Sequence, residues 1–219
     1  MTSNDSTPTI YFGYGSNLWL HQMELRCPTS KFLGVARLDE YKWIINDRGY
    51  ANVVEVKSAT SAKEAKEEDT NPVNKKSKYD NVVFGLVYSL EPKDEDRLDV
   101  NEGVPFAYTK EYLACDFWKS SDGKWTDVSK PSTCEKEMLV YVDRKRTEES
   151  TPKKEYIWRM NRGIEDADMM GVPRGYVEGV MRKFIPVEEE EGGRGEGNGK
   201  RRSVEDKAWE QARRFVDEN

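Results

Sequence analysis

Histidine and cysteine are both scarce in this chain, which has one histidine and three cysteines in 219 residues. A metal centre built from several histidines is therefore excluded, and a Ser-His-Asp or Cys-His system would have to use His21. His21 follows Leu20 at the start of a predicted helix, where a surface or packing role is the more common one. The three cysteines form no Cys-x-x-Cys pair, so we expect neither a disulfide framework nor a zinc site.

Long apolar runs are also missing. No stretch approaches the roughly 18 apolar residues that a membrane span needs. Residues 1–8 lack the basic and apolar regions of a signal peptide. The net charge of −6 argues against a general affinity for nucleic acid or anionic membranes. We therefore expect a cytoplasmic protein without a nucleic-acid or membrane partner.

The composition nevertheless predicts a folded core, because 11 tyrosines and 6 tryptophans are more than a disordered chain carries. Polar segments outside this core lower the apolar fraction of the whole chain. Residues 58–80 contain almost no large apolar side chain and are predicted to be a disordered insertion. Residues 1–8 are predicted to be a disordered leader and residues 188–202 a flexible linker. One domain over residues 9–187 remains.

Residues 203–219 are predicted to form an amphipathic C-terminal helix. Val204, Ala208, Ala212 and Phe215 repeat at helical spacing and share one face. Such a face needs to be covered. The helix would dock on the domain itself or on a partner. A homodimer is a separate expectation.

The hydrophobic pattern within the domain predicts mostly strands first and helices afterwards. Strands are predicted over 9–14, 32–35, 41–45, 50–56, 81–90, 108–118 and 137–142, with Asp122-Gly123 as a hairpin turn. Helices are predicted over 18–26, over 92–100 with Leu98 and Val100 pointing inward, from Lys153 onward, and over 174–184. The strands lack the helix-sized spacers of a parallel sheet. The predicted fold class is therefore α+β, with a largely antiparallel, barrel-like sheet and flanking helices.

A glycine-containing turn follows the first predicted strand, in the run Tyr-Phe-Gly-Tyr-Gly-Ser-Asn-Leu at 11–18. Gly13 and Gly15 match a dinucleotide fingerprint, but Leu18 stands where its third glycine belongs and no parallel βαβ unit follows. Glycines still let successive backbone N–H groups converge near a helix start, which suits a substrate carboxylate. A plain tight turn is the alternative interpretation.

This run closely resembles the opening motif of the γ-glutamylcyclotransferase family. Further stretches resemble that family in the same order, namely 35–38, 41–42, 49–54, 83–88, 98–104 and 171–173. The resemblance covers roughly residues 10–187, without the insertion. It implies the fold of that family and a cofactor-independent, lyase-type reaction. In that reaction a γ-glutamyl amino acid becomes 5-oxoproline and a free amino acid.

The resemblance also implies roles for individual residues. The family's general acid/base glutamate matches Glu102, which the composition alone would class as a surface carboxylate in an acidic segment. One carboxylate is chemically sufficient, because it can take a proton from the attacking α-amine and give it to the departing nitrogen. The substrate-binding positions implied by the resemblance are Tyr11, Phe12, Gly13, Tyr14, Gly15, Ser16, Asn17, Tyr108, Tyr141 and Tyr156.

The substrate remains open at this stage. Trp19 is typical of glutathione-specific members of the family, whereas Asn17 and the segment from Leu98 to Gly103 are typical of the group that acts on γ-glutamyl amino acids. A specialised γ-glutamyl conjugate would undergo the same chemistry. A different class of function is a small-molecule binding module that keeps the cavity without turnover.

Overall fold

The computed structural model describes residues 7–56, 77–188, 206–210 and 212. Its strands are β1 (Thr9–Gly13), β2 (Lys31–Asp39), β3 (Tyr41–Ile45), β4 (Ala51–Glu55), β5 (Val82–Leu90), β6 (Thr109–Lys119) and β7 (Cys134–Val142). Five of them form a closed barrel in the order β1-β5-β2-β6-β7. Every neighbouring pair is antiparallel except β1 and β7, which pair in parallel at Tyr11 and Leu139. The predicted α+β class with a largely antiparallel barrel is confirmed.

Helices flank this barrel and hold the turn that follows β1. They are α1 (Leu20–Arg26), α2 (Pro92–Asn101), α3 (Lys154–Met170) and α4 (Arg174–Gly179). A short 3₁₀ turn, Ser16–Leu18, precedes α1. Helix α3 packs closely on this turn at Gly163, where an added Cβ would lie 3.0 Å from Leu18 Cβ and 3.1 Å from the Trp19 nitrogen. A glycine at this point therefore sets how near α3 comes to the turn.

The hairpin of β3 and β4 lies outside the barrel order and brings a second tight turn to the same region. The Asn46 side chain holds this turn, because its Oδ1 accepts the backbone N–H groups of Arg48 at 3.1 Å and Tyr50 at 3.3 Å. Gly49 has a φ of 83°, and an added Cβ would lie 2.8 Å from Lys153 Cγ. The turn is thereby packed against the start of α3.

The barrel strands supply most of the buried apolar core. Fully buried side chains from four of the strands include Phe12, Val35, Leu86, Val87, Leu139 and Val140. Each such side chain contributes about 1.5–3 kcal/mol relative to an exposed position. Phe12 lies across Gly85, where an added Cβ would be 2.8 Å from the ring. Phe12 is therefore a core residue.

Two predicted strand features differ from the structure. Strand β2 continues through 36–39, which the sequence interpretation placed between two strands. Arg37 points outward and pairs with Asp116 of β6 at 2.6 Å, so its charge is compatible with a strand. The turn at Asp122-Gly123 does not join the strands directly, since residues 120–133 separate β6 from β7.

Three helix features also differ. The helix predicted from residue 18 begins at Leu20, because residues 16–18 form the 3₁₀ turn. The helix predicted over 174–184 ends at Gly179 and is followed by a separate 3₁₀ turn, Met181–Lys183. Leu98 is fully buried as expected, whereas Val100 is 54% exposed. Two positions apart on a helix means opposite sides, so only one of the pair faces the core.

Several predicted segments lie outside the described residues, namely 1–6, 57–76, 189–205 and most of the C-terminal helix. Residues 78–81 form a turn, and the ring of Tyr79 lies 5.9 Å from that of Tyr176. The predicted disorder therefore does not extend over residues 77–80. No described helix is long and apolar enough to cross a membrane.

The described part of the C-terminal helix covers residues 206–210 and 212. Ala208 and Ala212 are buried against Trp19 and Trp158. The ring of Trp209 lies 5.2 Å from that of Trp19. These residues therefore dock on the chain's own domain.

Candidate active site

One pocket lies where β1 and β7 end and β6 begins. Its cavity volume is about 30 Å³, and its mouth opens to solvent. The residues that line it are Tyr11, Tyr14, Gly15, Ser16, Asn17, Tyr50, Ala51, Glu102, Tyr108, Tyr141 and Tyr156. Glu102 is the acidic residue of this lining, and six tyrosines surround it.

The structure brings together nine of the eleven residues named from the sequence. Phe12 and Gly13 do not line the pocket. Phe12 points into the core because side chains alternate along β1, and the ring of Tyr11 covers Gly13. Tyr50 and Ala51 line the pocket but were not named as site residues. They belong to the stretch 49–54, which resembles the family in sequence. That resemblance could have identified them as site residues.

Glu102 stands immediately after the last residue of α2, and its backbone N–H donates to the Leu98 carbonyl at 2.9 Å. Gly103 follows with a φ of 62°, which turns the chain sharply. A negative charge at the carbonyl end of a helix is disfavoured by about 0.3–1 kcal/mol. The part-buried carboxylate therefore depends on donors from elsewhere in the fold.

Asn17 supplies one such donor. Its Nδ2 donates to Glu102 Oε1 at 3.1 Å and to Tyr11 Oη at 2.8 Å. Its Oδ1 accepts from Gln22 Nε2 at 2.9 Å and from Arg26 Nη1 at 3.4 Å. The amide of Asn17 is thus bonded on both sides, with its nitrogen towards the pocket carboxylate.

Three tyrosine hydroxyls of the pocket donate their protons to protein oxygens. Tyr14 Oη donates to the Tyr141 carbonyl at 2.5 Å, and Tyr108 Oη donates to the Ala51 carbonyl at 2.8 Å. Tyr141 Oη donates to Asp99 Oδ1 at 2.7 Å. A hydroxyl carries a single proton, so these three groups can offer a ligand only their lone pairs. The pocket is therefore rich in acceptors, which suits an ammonium group.

Tyr156 approaches the glycine turn from α3. Its Oη accepts the backbone N–H groups of Ser16 at 3.2 Å and Ala51 at 3.3 Å. A Cβ added to Gly15 would lie 2.9 Å from this oxygen, so the contact requires glycine there. The sequence interpretation expected the backbone of this turn to face a substrate anion. The N–H of Ser16 instead faces the Tyr156 hydroxyl.

The Ser16 side chain, unlike its backbone N–H, contacts Gln22 and Arg159. Its Oγ accepts from Gln22 Nε2 at 3.0 Å and from Arg159 Nη1 at 3.1 Å. With both lone pairs engaged, only the hydroxyl proton remains to reach a ligand. Ser16 can therefore act as a donor to an anionic group in the pocket.

Burial keeps the pocket hydroxyls protonated at neutral pH. It raises the pKa of Tyr11, Tyr14 and Tyr141 well above the usual value, and the negative charge of Glu102 adds to the effect. Burial also raises the pKa of the neighbouring Cys27 thiol to about 12, with Asp94 the next contribution. Cys27 is thus a neutral thiol rather than a nucleophile.

Within the described residues, no group of three or more histidine, cysteine, aspartate or glutamate side chains could hold a metal ion. His21 lies outside the pocket lining. Its ring lies 5.6 Å from that of Trp19 and 5.2 Å from that of Trp209, which is a surface packing role. The pocket lining contains one carboxylate, that of Glu102, among hydroxyl and amide groups.

Comparison with solved structures identifies the fold. A structure described as γ-glutamyl cyclotransferase is 21% identical, with a TM-score of 0.57 over 92% of this chain and 98% of its own. The fold is that of the γ-glutamyl cyclotransferases. A human protein described as uncharacterized matches equally well, with 21% identity and a TM-score of 0.57 over 93% of this chain and 99% of its own. No protein-family profile and no curated protein sequence matches the chain.

At 21% identity the comparison establishes the γ-glutamyl cyclotransferase fold and no more. In this chain the fold joins the turn after β1 to the end of α2, where Glu102 lies.

Proposed function

We propose that this protein is a γ-glutamylcyclotransferase, with Glu102 as the general acid and base. The observation that carries the proposal is the position of the Glu102 carboxylate. It lies in a pocket rich in hydrogen-bond acceptors and is bonded to Asn17 of the glycine turn. The γ-glutamyl cyclotransferase fold supports the same reaction class.

The acceptors of the pocket match the polar end of a γ-glutamyl group. The substrate's α-ammonium group has three donors, for which Glu102 and the tyrosine hydroxyls supply acceptors. The Ser16 hydroxyl proton is available for the substrate's α-carboxylate. Binding both groups would hold the flexible γ-glutamyl chain in a folded conformation, which removes part of the entropy cost of ring closure.

The reaction is an intramolecular acyl transfer. Glu102 accepts a proton from the α-nitrogen, whose lone pair then attacks the γ-carbonyl carbon. A carbon–nitrogen bond forms within the new five-membered ring, and the bond from that carbon to the leaving nitrogen breaks. Glu102 returns a proton to the leaving nitrogen. A second proton passes between the two nitrogens through solvent, so that a free ammonium compound leaves beside 5-oxoproline.

The leaving group is proposed to be an amino acid, with glutathione and specialised γ-glutamyl conjugates as alternatives. Purified protein is incubated with γ-glutamyl-alanine and with glutathione, and released 5-oxoproline is measured by chromatography. Release from either substrate, lost in folded Glu102→Gln, is the expected result. The ratio between the two substrates identifies the preferred leaving group. A folded protein that binds γ-glutamyl-alanine without turnover would instead be a binding module.

A further inference from the structure

A line of buried polar side chains connects α3 to the Glu102 carboxylate. Arg159 of α3 and Gln22 of α1 have no solvent exposure. Neither residue lines the pocket, and the proposed reaction does not use them. Polar side chains this deeply buried need a full set of hydrogen bonds, so their partners show what they do.

Arg159 determines which way the amide groups along this line point. A guanidinium group can only donate hydrogen bonds. Arg159 Nη1 lies 3.3 Å from Gln22 Oε1, so Gln22 has to present its oxygen to Arg159. Its nitrogen then faces the other way, and Nε2 donates to Asn17 Oδ1 at 2.9 Å.

The orientation of Asn17 follows from that of Gln22. Because Asn17 accepts from Gln22 through its oxygen, its nitrogen faces Glu102 Oε1. The opposite orientation would place the amide oxygen against the carboxylate, and two acceptors in contact repel each other. Arg26 also donates to Asn17 Oδ1, at the longer distance of 3.4 Å.

We propose that Gln22, held by Arg159, is a positioning residue that keeps the Asn17 amide donating to Glu102. The bond from Asn17 favours the charged form of the carboxylate, which is the form that accepts the substrate's proton. This inference rests on the proposed function only in taking Glu102 as the proton carrier.

Other ionisable groups also face Glu102 from the surrounding elements. They are Tyr11 of β1, Tyr14 of the following turn, Cys27 and Arg26 at the end of α1, Tyr141 of β7 with Asp99 of α2, Tyr108 before β6, and Tyr156 of α3. The Gln22 side chain is hydrogen-bonded to Ser16, Asn17 and Arg159. The hydrogen-bonded path from Gln22 to Glu102 runs through Asn17, and the charge added in Gln22→Glu also acts on Glu102 through space.

Two variants of Gln22 separate the polarity of this residue from its bulk. Gln22→Glu keeps the shape and strengthens the contact with Arg159, but its carboxylate only accepts hydrogen bonds and draws the Asn17 nitrogen towards itself. Gln22→Met removes the hydrogen bonds without adding a charge, and Arg26 still holds Asn17 in part. We expect kcat to fall about tenfold or more in Gln22→Glu and a few-fold in Gln22→Met. KM should rise as well, because Gln22 also donates to the Ser16 hydroxyl that is proposed to bind the substrate's α-carboxylate. The acid limb of the pH profile should move to higher pH in Gln22→Glu.

A measurement without substrate tests the same inference. Carbon-13 NMR follows the titration of the Glu102 carboxyl, which is assigned by its absence from Glu102→Gln. The midpoint should rise by about half a pH unit or more in Gln22→Glu and by less in Gln22→Met. This result stands even if the wild-type protein releases no 5-oxoproline, so the two proposals fail independently. Folded variants that both keep the wild-type midpoint would overturn the role of Gln22.

Discussion

Asn17 Nδ2 donates a 3.1 Å hydrogen bond to Glu102 Oε1 across a separation of 85 residues. The bond joins the turn after β1 to the end of α2. Each of these segments carries one half of the proposed chemistry, because the turn holds the substrate and the glutamate moves its proton. A single amide therefore links the binding and the proton-transfer parts of the pocket.

Asn17→Asp is expected to impair turnover without unfolding the protein. The new carboxyl group has nearly the same shape but cannot donate to Glu102 when ionised, and its charge opposes ionisation of Glu102. We expect kcat/KM to fall by about 10²–10³, as when a general acid–base group is lost in part. The measurement is steady-state 5-oxoproline release.

The matched control is Asn161→Asp, at another buried asparagine that lies away from the pocket. Asn161 Nδ2 donates to the Pro186 carbonyl at 3.1 Å, so this variant should lose stability while the folded fraction keeps its turnover. Equal losses of turnover in the two variants would contradict a specific role for Asn17.

Gly15→Ala should displace Tyr156. The added Cβ would lie 2.9 Å from Tyr156 Oη and 3.2 Å from Ala51 Cβ, so one of these neighbours has to move. Overpacking of this kind costs about 1–3 kcal/mol of stability. We expect a rise in KM together with that loss, measured by kinetics and by urea unfolding.

Gly179→Ala serves as the control for Gly15→Ala, since the nearest atom to its added Cβ is Ser77 Oγ at 4.0 Å. It should leave KM near the wild-type value and should not lower stability, because alanine is favoured over glycine in a helix. A Gly15→Ala protein with unchanged KM would show that Tyr156 does not contribute to binding through this contact.

Leu98→Ala and Val100→Ala should differ strongly, although both lie on α2. Leu98 is fully buried, and removing its side chain leaves a cavity that costs about 2–5 kcal/mol. Val100 is 54% exposed, so its truncation should cost less than about 0.5 kcal/mol. Urea unfolding checks both values, and similar losses would contradict the orientation of α2.

Buried tyrosines should make the protein unstable at alkaline pH. Burial raises the pKa of Tyr88 well above the usual value, whereas in the unfolded chain it titrates near pH 10. Above that pH the unfolded state loses a proton that the folded state keeps, so the free energy of unfolding falls as pH rises. Below about pH 10 the same group has no such effect on stability.

Tyr88→Phe tests this pH dependence, because it removes one of the groups concerned. The variant should be less stable by about 1 kcal/mol at pH 8, where it lacks the bond from Tyr88 Oη to the Asn17 carbonyl, 3.0 Å long. Its stability should then decline less steeply than that of the wild type from pH 9 to pH 11. Parallel curves would show that Tyr88 ionises equally in both states.

The sequence predicted the barrel and most of the pocket because those features have strong local signals. β5 is a nearly continuous apolar run, and the turn over 11–18 carries a recognisable order of aromatic and glycine residues. These signals depend only on neighbours in the chain.

Features that depend on residues far apart in the chain were not predicted from the sequence. Residues 36–39 were predicted to lie between strands, whereas Arg37 in this stretch pairs with Asp116 on another strand. Gln22 and Arg159 carry no local sequence signal that marks them as buried. Their burial and mutual bonding follow from the packing of α3 on the turn after β1, which no local pattern encodes.

The central claim is that the α-nitrogen of the substrate, rather than water, attacks the γ-carbonyl carbon. Reaction of γ-glutamyl-alanine in water enriched in oxygen-18, followed by mass spectrometry of the products, tests this directly. The account predicts 5-oxoproline that carries no heavy oxygen, and no product from Glu102→Gln. Glutamate carrying one oxygen-18 atom would mean hydrolysis and would contradict the proposed cyclisation.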